Sequence, residues 1–505
     1  MDRGAQREVD SDCSVELIYP PSVHEVAGWE TNTMPLPITP LEFDLQACSF
    51  ADGFGQALSS MLGRHIRVAV RSRNGRLDSV MTTAPDMPEE VGQWMHTELR
   101  VDWRRRVRPT ALRYEQFFSA ADAVTPGGVS DVLRATTARM TTVTFQHHTL
   151  ILPARLAIVE FCEFATAEDI TGSELEALTL LAGRSNATTR IATRLWDYRS
   201  NKCDLPPLAQ EGEGYGLACP GWLESQQVPR LLAELYARCG RSPRELVVQS
   251  SRRRGRRWNR IKRTLARKPV AVLERFNELH DRARQAVRLT EDHAPLIHAR
   301  LPHAMRQLVH RLGSRLVDRG LLAAPEDLLY LRPHEVRNHD RDDDRTQQRR
   351  AECAEFDLQP NMATNPTSDN DPLGDGPVAR RMRRVFTSSA CNGDDGEGRS
   401  VGCPASPGAG RGPLRRVERQ ADLANVEPGD VVLAAGSGAV WSYAAPAASG
   451  FIIATGSPFG HLASLARDYA LPCVVGVEGL GCVDDGQPVE VDGTTGAIKY
   501  DGRKP

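Results

Sequence analysis

Most of this chain spaces its apolar residues three and four apart, whereas a few short stretches near its C-terminal end set them side by side. The first pattern predicts helices over 172–198 and 227–240, with Leu175, Leu178, Leu180 and Leu181 and then Leu231, Leu232 and Leu235 as the buried stripes. The longest helical pattern runs from Val272 to Val317 through Phe276, Leu279, Val287, Leu296, Met305, Leu308, Leu312 and Leu316, and Pro295 and Pro302 predict a break or kink in it. Leu41 to Gly63 is also largely helical in spacing, behind an extended proline-rich lead-in from Trp29 to Pro40. The second pattern predicts strands. Phe451-Ile452-Ile453-Ala454 reads as a buried strand ending in a glycine turn, His461 to Tyr469 as a helix stopped by Leu471-Pro472, and Cys473-Val474-Val475 as the next strand. His147-His148-Thr149-Leu150-Ile151-Leu152 is branched enough to predict a strand as well. Asn338 to Ser400 carries acidic runs and Pro, Asn, Ser and Gly with little core potential, and predicts a flexible linker.

One histidine stands at the start of a helix in this pattern. The positive end of the helix dipole and the free N–H groups of the first turn favour an anion there. Gly456 and Gly460 allow a second surface to approach the ring of His461. A neutral imidazole is a competent nucleophile near neutral pH, so the motif suits a histidine that takes up a phosphoryl group.

Four ordered motifs around that histidine resemble the swivelling phosphohistidine domain of the phosphoenolpyruvate-utilising enzymes. They are Gly402 to Gly412 with its Ser406-Pro407-Gly408, Val426 to Leu433 with Pro428-Gly429-Asp430, Thr455 to Val477 around His461, and Asp485 to Gly496 with Val491-Asp492-Gly493. The resemblance implies that His461 accepts the phosphoryl group and that Gly456, Gly460 and Arg467 support it. Ser457 and Leu462 stand where the family usually has a glycine and a small residue. Upstream, Thr39-Pro40-Leu41 and the stretch from Glu291-Asp292-His293 through Arg306 to Leu331 are similar to the substrate domain of the rifampicin phosphotransferase branch. This implies an acceptor pocket with Glu291, Asp292, His293 and Arg306 as candidates, a carboxylate beside a histidine serving as base and an arginine steadying phosphate. His298 occupies a position where relatives often carry an acid.

Composition narrows the remaining choices. The 505 residues are 40% hydrophobic with a net charge of -2, which suits a multidomain globular chain without a general pull toward nucleic acid or anionic membrane. No apolar run of membrane-spanning length and no apolar leader core occurs, so a cytoplasmic location is expected. Eleven cysteines without a Cys-x-x-Cys pair argue against a disulfide framework or a structural zinc site, and no metal ligand set is expected. The basic run from Arg252 to Lys268 reads as a solvated helix face or an acidic-partner patch rather than a nucleic-acid site.

The expected organisation is α/β plus mostly helical: a disordered tail over 1–20, a mainly α-helical substrate domain over 21–336, a flexible linker over 337–400 and a swivelling β/β/α phosphohistidine domain over 401–505. The sequence shows neither a glycine-rich phosphate loop with its lysine nor an ATP-grasp acid cluster. The resemblance therefore implies a partner: a separate ATP-grasp protein, using ATP and Mg, would load His461 for transfer to a small-molecule hydroxyl acceptor, with phosphoenolpyruvate as the other possible donor. No cofactor is expected on this chain itself. The alternative is a catalytically degenerate binding or regulatory protein that retains the fold.

Overall fold

A computed structural model describes residues 38–63, 65–73, 76–84, 99–120, 126–199, 217–218, 221–222, 224–338, 344–354, 376–386, 393–394, 399–418, 420–434, 436, 438–477, 480 and 483–500. The expected tail over 1–20 lies outside them.

The helical part begins with α1 (Pro40–Glu42), whose Thr39 cap and Glu42 bond each other reciprocally, and continues through a π-helical turn into α2 (Cys48–Leu62). The hairpin β1 (His65–Arg73) and β2 (Arg76–Ala84) follows, then α3 (Leu99–Asp102) and α4 (Arg108–Ala120). The axis of this part is α5 (Pro126–Ala167), a 42-residue helix against which α2 packs. His147 to Leu152 lies in the middle of α5, so the strand expected there is corrected to helix. The longer register decides: Val129, Leu133, Thr136, Val143, His147, Leu150, Ala154, Phe161 and Ala165 are all buried at helical spacing, which a six-residue window does not reveal.

Helices α6 (Glu174–Leu181), α7 (Ala187–Arg199) and α8 (Gln227–Arg238) fall where the leucine stripes predict them. The basic run lies largely on α9 (Pro243–Leu265), where Arg253 donates to the Ala470 carbonyl at 3.0 Å, Arg254 to that of Gly183 at 3.0 Å, and Arg260 pairs with Glu176. The long pattern from 272 resolves into α10 (Val270–Asp292) and α11 (Leu301–Asp318), joined by a π-helical turn at Pro295–Arg300. The prolines at 295 and 302 open that turn and the next helix, so the break falls where they predict it.

The span 337–400, expected as a flexible linker, contains ordered elements: α12 (Arg345–Ala354), α13 (Pro377–Phe386) and the short strands β3 (Gly393–Asp394) and β4 (Arg399–Val401). The physical reason is the amphipathicity of α13. Ala379, Met382, Val385 and Phe386 are buried on its inner side, while Arg381 and Arg384 pair with Glu163 of α5 at 2.7 Å each.

The remaining strands are β5 (Cys403–Ser406), β6 (Ala409–Val417), β7 (Val431–Ala434), β8 (Gly450–Ile453), β9 (Cys473–Val475), β10 (Pro488–Asp492) and β11 (Ala497–Tyr500). They form a sheet in the order β3-β4-β11-β10-β6-β7-β8-β9-β5, parallel from β6 to β9 and antiparallel elsewhere. The three inner parallel strands are buried throughout, which is why they read as unbroken apolar runs. On one face lies α14 (His461–Asp468), and its Leu462, Leu465 and Ala466 share a core with Phe451, Ile453 and Val475 of the sheet. Ile191 and Leu195 of α7 and Leu232, Leu235 and Tyr236 of α8 enter the same core, so the sheet unit is packed directly onto the helical part. Among the described residues no helix is long and apolar enough to cross a membrane.

Gly493 marks a close approach in this unit. A Cβ there would come within 2.0 Å of the Ser406 carbonyl oxygen and 2.6 Å of the Cys473 nitrogen, both backbone atoms that cannot step aside. Gly493→Ala is therefore expected to lower stability by about 3 kcal/mol, read as a reduced urea midpoint; an unchanged midpoint would contradict the packing described.

Candidate functional site

His461 is the first residue of α14, with Gly460 as an extended N-cap (φ -68°, ψ 165°) and Gly456 at φ 138°, a conformation that L side chains rarely adopt. The loop before the helix is held from two sides. Ser457 Oγ donates to the Val385 carbonyl of α13 at 2.6 Å and accepts from the Phe459 N–H at 3.2 Å. From beneath, Arg467 donates through Nη1 to the carbonyls of Pro458 at 2.8 Å and Ala405 at 2.7 Å. Arg467 thus faces inward and braces the loop that presents the histidine. Leu462 is fully buried in the core between α14 and the sheet, so the side chain larger than the family norm is absorbed by packing.

The imidazole of His461 meets the helical part at Glu291, the penultimate residue of α10, with Nδ1 3.2 Å from Glu291 Oε1. The carboxylate is 1% exposed, and its second oxygen, Oε2, has no hydrogen-bond partner among the described residues. In the tautomer whose Nδ1–H donates to Glu291 Oε1, the lone pair of His461 lies on Nε2.

Four more histidines surround this contact. The Nδ1 atoms of His293 and His148 lie 2.9 Å and 2.8 Å from the carbonyl oxygens of Leu289 and Thr144, so each donates and leaves its Nε2 with a lone pair. His293 Nε2 is 3.3 Å from His298 Nε2, and the His147 ring lies 4.8 Å from that of His293. Burial is the main cause holding all four below the ordinary histidine range, His148 and His298 at about 3 and the other two well below 6.5, with neighbouring rings adding to the effect at His147, His293 and His298. All four are therefore neutral near neutral pH.

A cavity of about 150 Å³ opens between the His461 loop and α5. Gly456, Gly460 and His461 line it together with the polar His147, His148, Arg155 and His298 and with apolar residues such as Phe50, Ile151 and Phe386. Of the residues singled out in the substrate region, Glu291 and His293 come together with His461. Asp292 and Arg306 are engaged elsewhere: Asp292 accepts from the Ala187 N–H at 3.0 Å and from Arg288 at 2.9 Å, and Arg306 donates to Glu224 at 2.6 Å and to the Leu217 carbonyl. Neither lines the cavity. No sequence motif assigns a role to His147, His148 or Arg155. The usable signal is helical spacing, since Thr144, His148, Ile151 and Arg155 recur on one face of α5.

Residues 426–496, which include His461 and the strands β7 to β10, match the PEP-utilising enzyme mobile domain. This segment resembles that domain. The wider similarity of the chain extends beyond the match. It is 26% identical over 406 residues to chondramide synthase cmdD of Chondromyces crocatus, covering 70% of this chain and 10% of that protein. It is 31% identical over 200 residues to a rifampicin phosphotransferase of Streptomyces sviceus, covering 38% of this chain and 21% of that protein. The uncharacterized phosphotransferase YvkC of Bacillus subtilis is 24% identical over 228 residues, covering 44% of this chain and 27% of that protein. The chain thus spans between about a tenth and about a quarter of the length of these relatives. The mobile domain and the phosphotransferase relatives together support phosphotransfer as the general chemistry.

Proposed function

We propose that this chain is the phosphoryl-carrying component of a phosphotransferase, with His461 as the carrier and the adjoining cavity as the acceptor site. The observation that carries the reading is the contact of Glu291 with His461, itself a cavity-lining residue, because Nδ1–H donating to Glu291 leaves Nε2 as the nucleophile. In the first step the Nε2 lone pair attacks phosphorus and the donor's P–O bond breaks, its electrons leaving on the donor oxygen. Nδ1–H remains bonded to Glu291, whose negative charge offsets the positive charge on the phosphorylated ring. In the second step an acceptor hydroxyl oxygen attacks phosphorus, the P–N bond breaks and its electron pair returns to Nε2. The hydroxyl proton passes to a neutral imidazole of the cavity wall, and His148 Nε2 is the candidate, since its Nδ1–H is occupied by the Thr144 carbonyl.

The mixed polar and apolar lining suits an acceptor with an apolar body and a hydroxyl directed to His461. By likeness to the rifampicin phosphotransferases, the donor is ATP with Mg on a separate ATP-grasp protein, phosphoenolpyruvate being the other donor to test, and the chain works in the cytoplasm. The test is labelling: the chain is incubated with a candidate ATP-grasp protein and ATP labelled at its β-phosphate, or with labelled phosphoenolpyruvate, and then with hydroxyl acceptors. Acid-labile label that is lost from the chain as labelled product forms supports the reading; a chain that takes label from neither donor contradicts it.

Glu291→Gln removes the charge while preserving the size of the side chain. The rate of label uptake on His461 is expected to fall by about 100-fold, within the range typical of a lost acid, base or electrostatic partner. An uptake rate equal to that of wild type would remove Glu291 from the mechanism.

A further inference from the structure

We propose that His147, His293 and His298 together bind one divalent transition-metal ion of the zinc class, beside the carrier histidine.

Three observations carry this. One ring nitrogen from each of the three residues lies within 4.8 Å of those of the other two. Within that group the two Nε2 atoms of His293 and His298 are 3.3 Å apart. Two nitrogens each about 2.0–2.1 Å from a tetrahedral ion stand about 3.3–3.4 Å from each other, so this pair already has the separation of two ligands on one zinc. The outer bond is also in place. His293 Nδ1–H donates to the Leu289 carbonyl, which fixes the ring and directs the Nε2 lone pair inward, the arrangement that metal-bound histidines use.

The third observation concerns His147. This residue is 6% exposed, and its Nδ1 is buried without a hydrogen-bond partner among the described residues. A buried polar atom left unpaired is unfavourable, and a ligand bond would remove that penalty. Imidazole binds a metal as the neutral ring. Three neutral nitrogens leave an ion its full double charge. Buried Glu291, two positions before His293, supplies a carboxylate in the same region.

A set of three histidines and no thiolate selects for zinc-class ions over magnesium or calcium, which take oxygen. It also leaves a fourth tetrahedral position for water or another oxygen, as in catalytic rather than structural zinc sites. Two of the ligands, His293 and His298, lie 6.1 and 6.5 Å, ring to ring, from His461. Occupancy of this site does not depend on the phosphotransfer reading; only a part for the ion in the transfer step rests on it.

The experiment uses the full chain stripped of metal by chelation and titrated with cobalt(II) as a spectroscopic probe, followed by zinc. The expected result is one cobalt per chain, with the intense visible bands of a tetrahedral site that zinc abolishes. His298→Asn and His293→Asn should lose the bands and weaken zinc binding by more than about 100-fold, beyond the 10–100-fold typical of losing only an outer partner. His461→Asn should keep the bands while taking up no phosphoryl label, which separates the two readings. X-ray absorption of the cobalt-loaded wild type counts imidazole ligands without any substitution, and three are expected. Folded wild type that binds no stoichiometric cobalt or zinc, or a shell with fewer than three imidazoles, would overturn the site.

Discussion

His461→Asn is expected to abolish phosphoryl uptake and transfer, a loss of about 10⁴-fold or more, because it removes the nucleophile assigned to form the covalent intermediate. The side chain is 17% exposed and contributes little to the core, so the variant should remain folded. A secondary cost is predictable: Glu291 is buried and its only hydrogen bond among those described is to His461, so removing the imidazole should reduce stability by about 1–3 kcal/mol. The two readouts separate the chemistry from the fold. Label uptake is followed with the donor system, and the melting transition is followed by circular dichroism. Undiminished uptake in the variant would place the carrier elsewhere.

The second large effect is expected at Asp468, the last residue of α14. Its carboxylate is buried where the sheet unit meets the helical part, accepting from the N–H groups of Gly183 at 2.7 Å and Arg184 at 3.3 Å and from Asn186 at 2.9 Å. Burial nonetheless pushes it up to about 7 from the ordinary 3.8, since desolvation outweighs these bonds and nearby Glu291 adds repulsion. A carboxyl raised on folding contributes most favourably below its unfolded value and loses that contribution as pH rises through its folded value. The gap corresponds to about 4 kcal/mol lost between roughly pH 4 and pH 8. The four buried histidines act in the opposite sense below about pH 6.5, where they lose stability as they are driven to charge. The informative quantity is therefore the difference between wild type and Asp468→Asn. The asparagine places its amide against that of Asn186, a roughly constant cost. On that background, unfolding free energies should show wild type losing stability relative to the variant as pH rises to 8. Parallel pH profiles would contradict the burial assigned to Asp468.

What the sequence made legible was local. The β8–α14–β9 unit is written in contiguous residues: an apolar run, glycines, a histidine, a helix and a proline stop. Its motifs are spaced closely enough to be read without a structure. The same holds for the leucine stripes of α6 to α8 and for the break between α10 and α11 at Pro295. The fate of His147 and His148 was not legible, because a branched six-residue window suits a strand and only the 42-residue register of α5 reveals a helix.

The assembly of the site was hidden for a related reason. Glu291 meets His461 across 170 residues, and His147 meets His293 across nearly as many, through packing that no spacing rule encodes. Arg467 and Leu462 show the complementary difficulty. Their place next to the histidine in sequence suggests contact with the ring, yet on an eight-residue helix one face belongs to the sheet, and both side chains turn inward. Arg306 and Asp292 match family motifs in sequence but spend their charges on partners outside the cavity.

The measurement that bears most directly on the carrier reading is mass spectrometry of the protein from its native cells, prepared under alkaline conditions that preserve phosphoramidates. The account predicts an acid-labile phosphate on the peptide containing His461, lost on brief acid treatment and absent from the His461→Asn chain. Full coverage of that peptide with no phosphate, from cells in which the chain is in use, would contradict it.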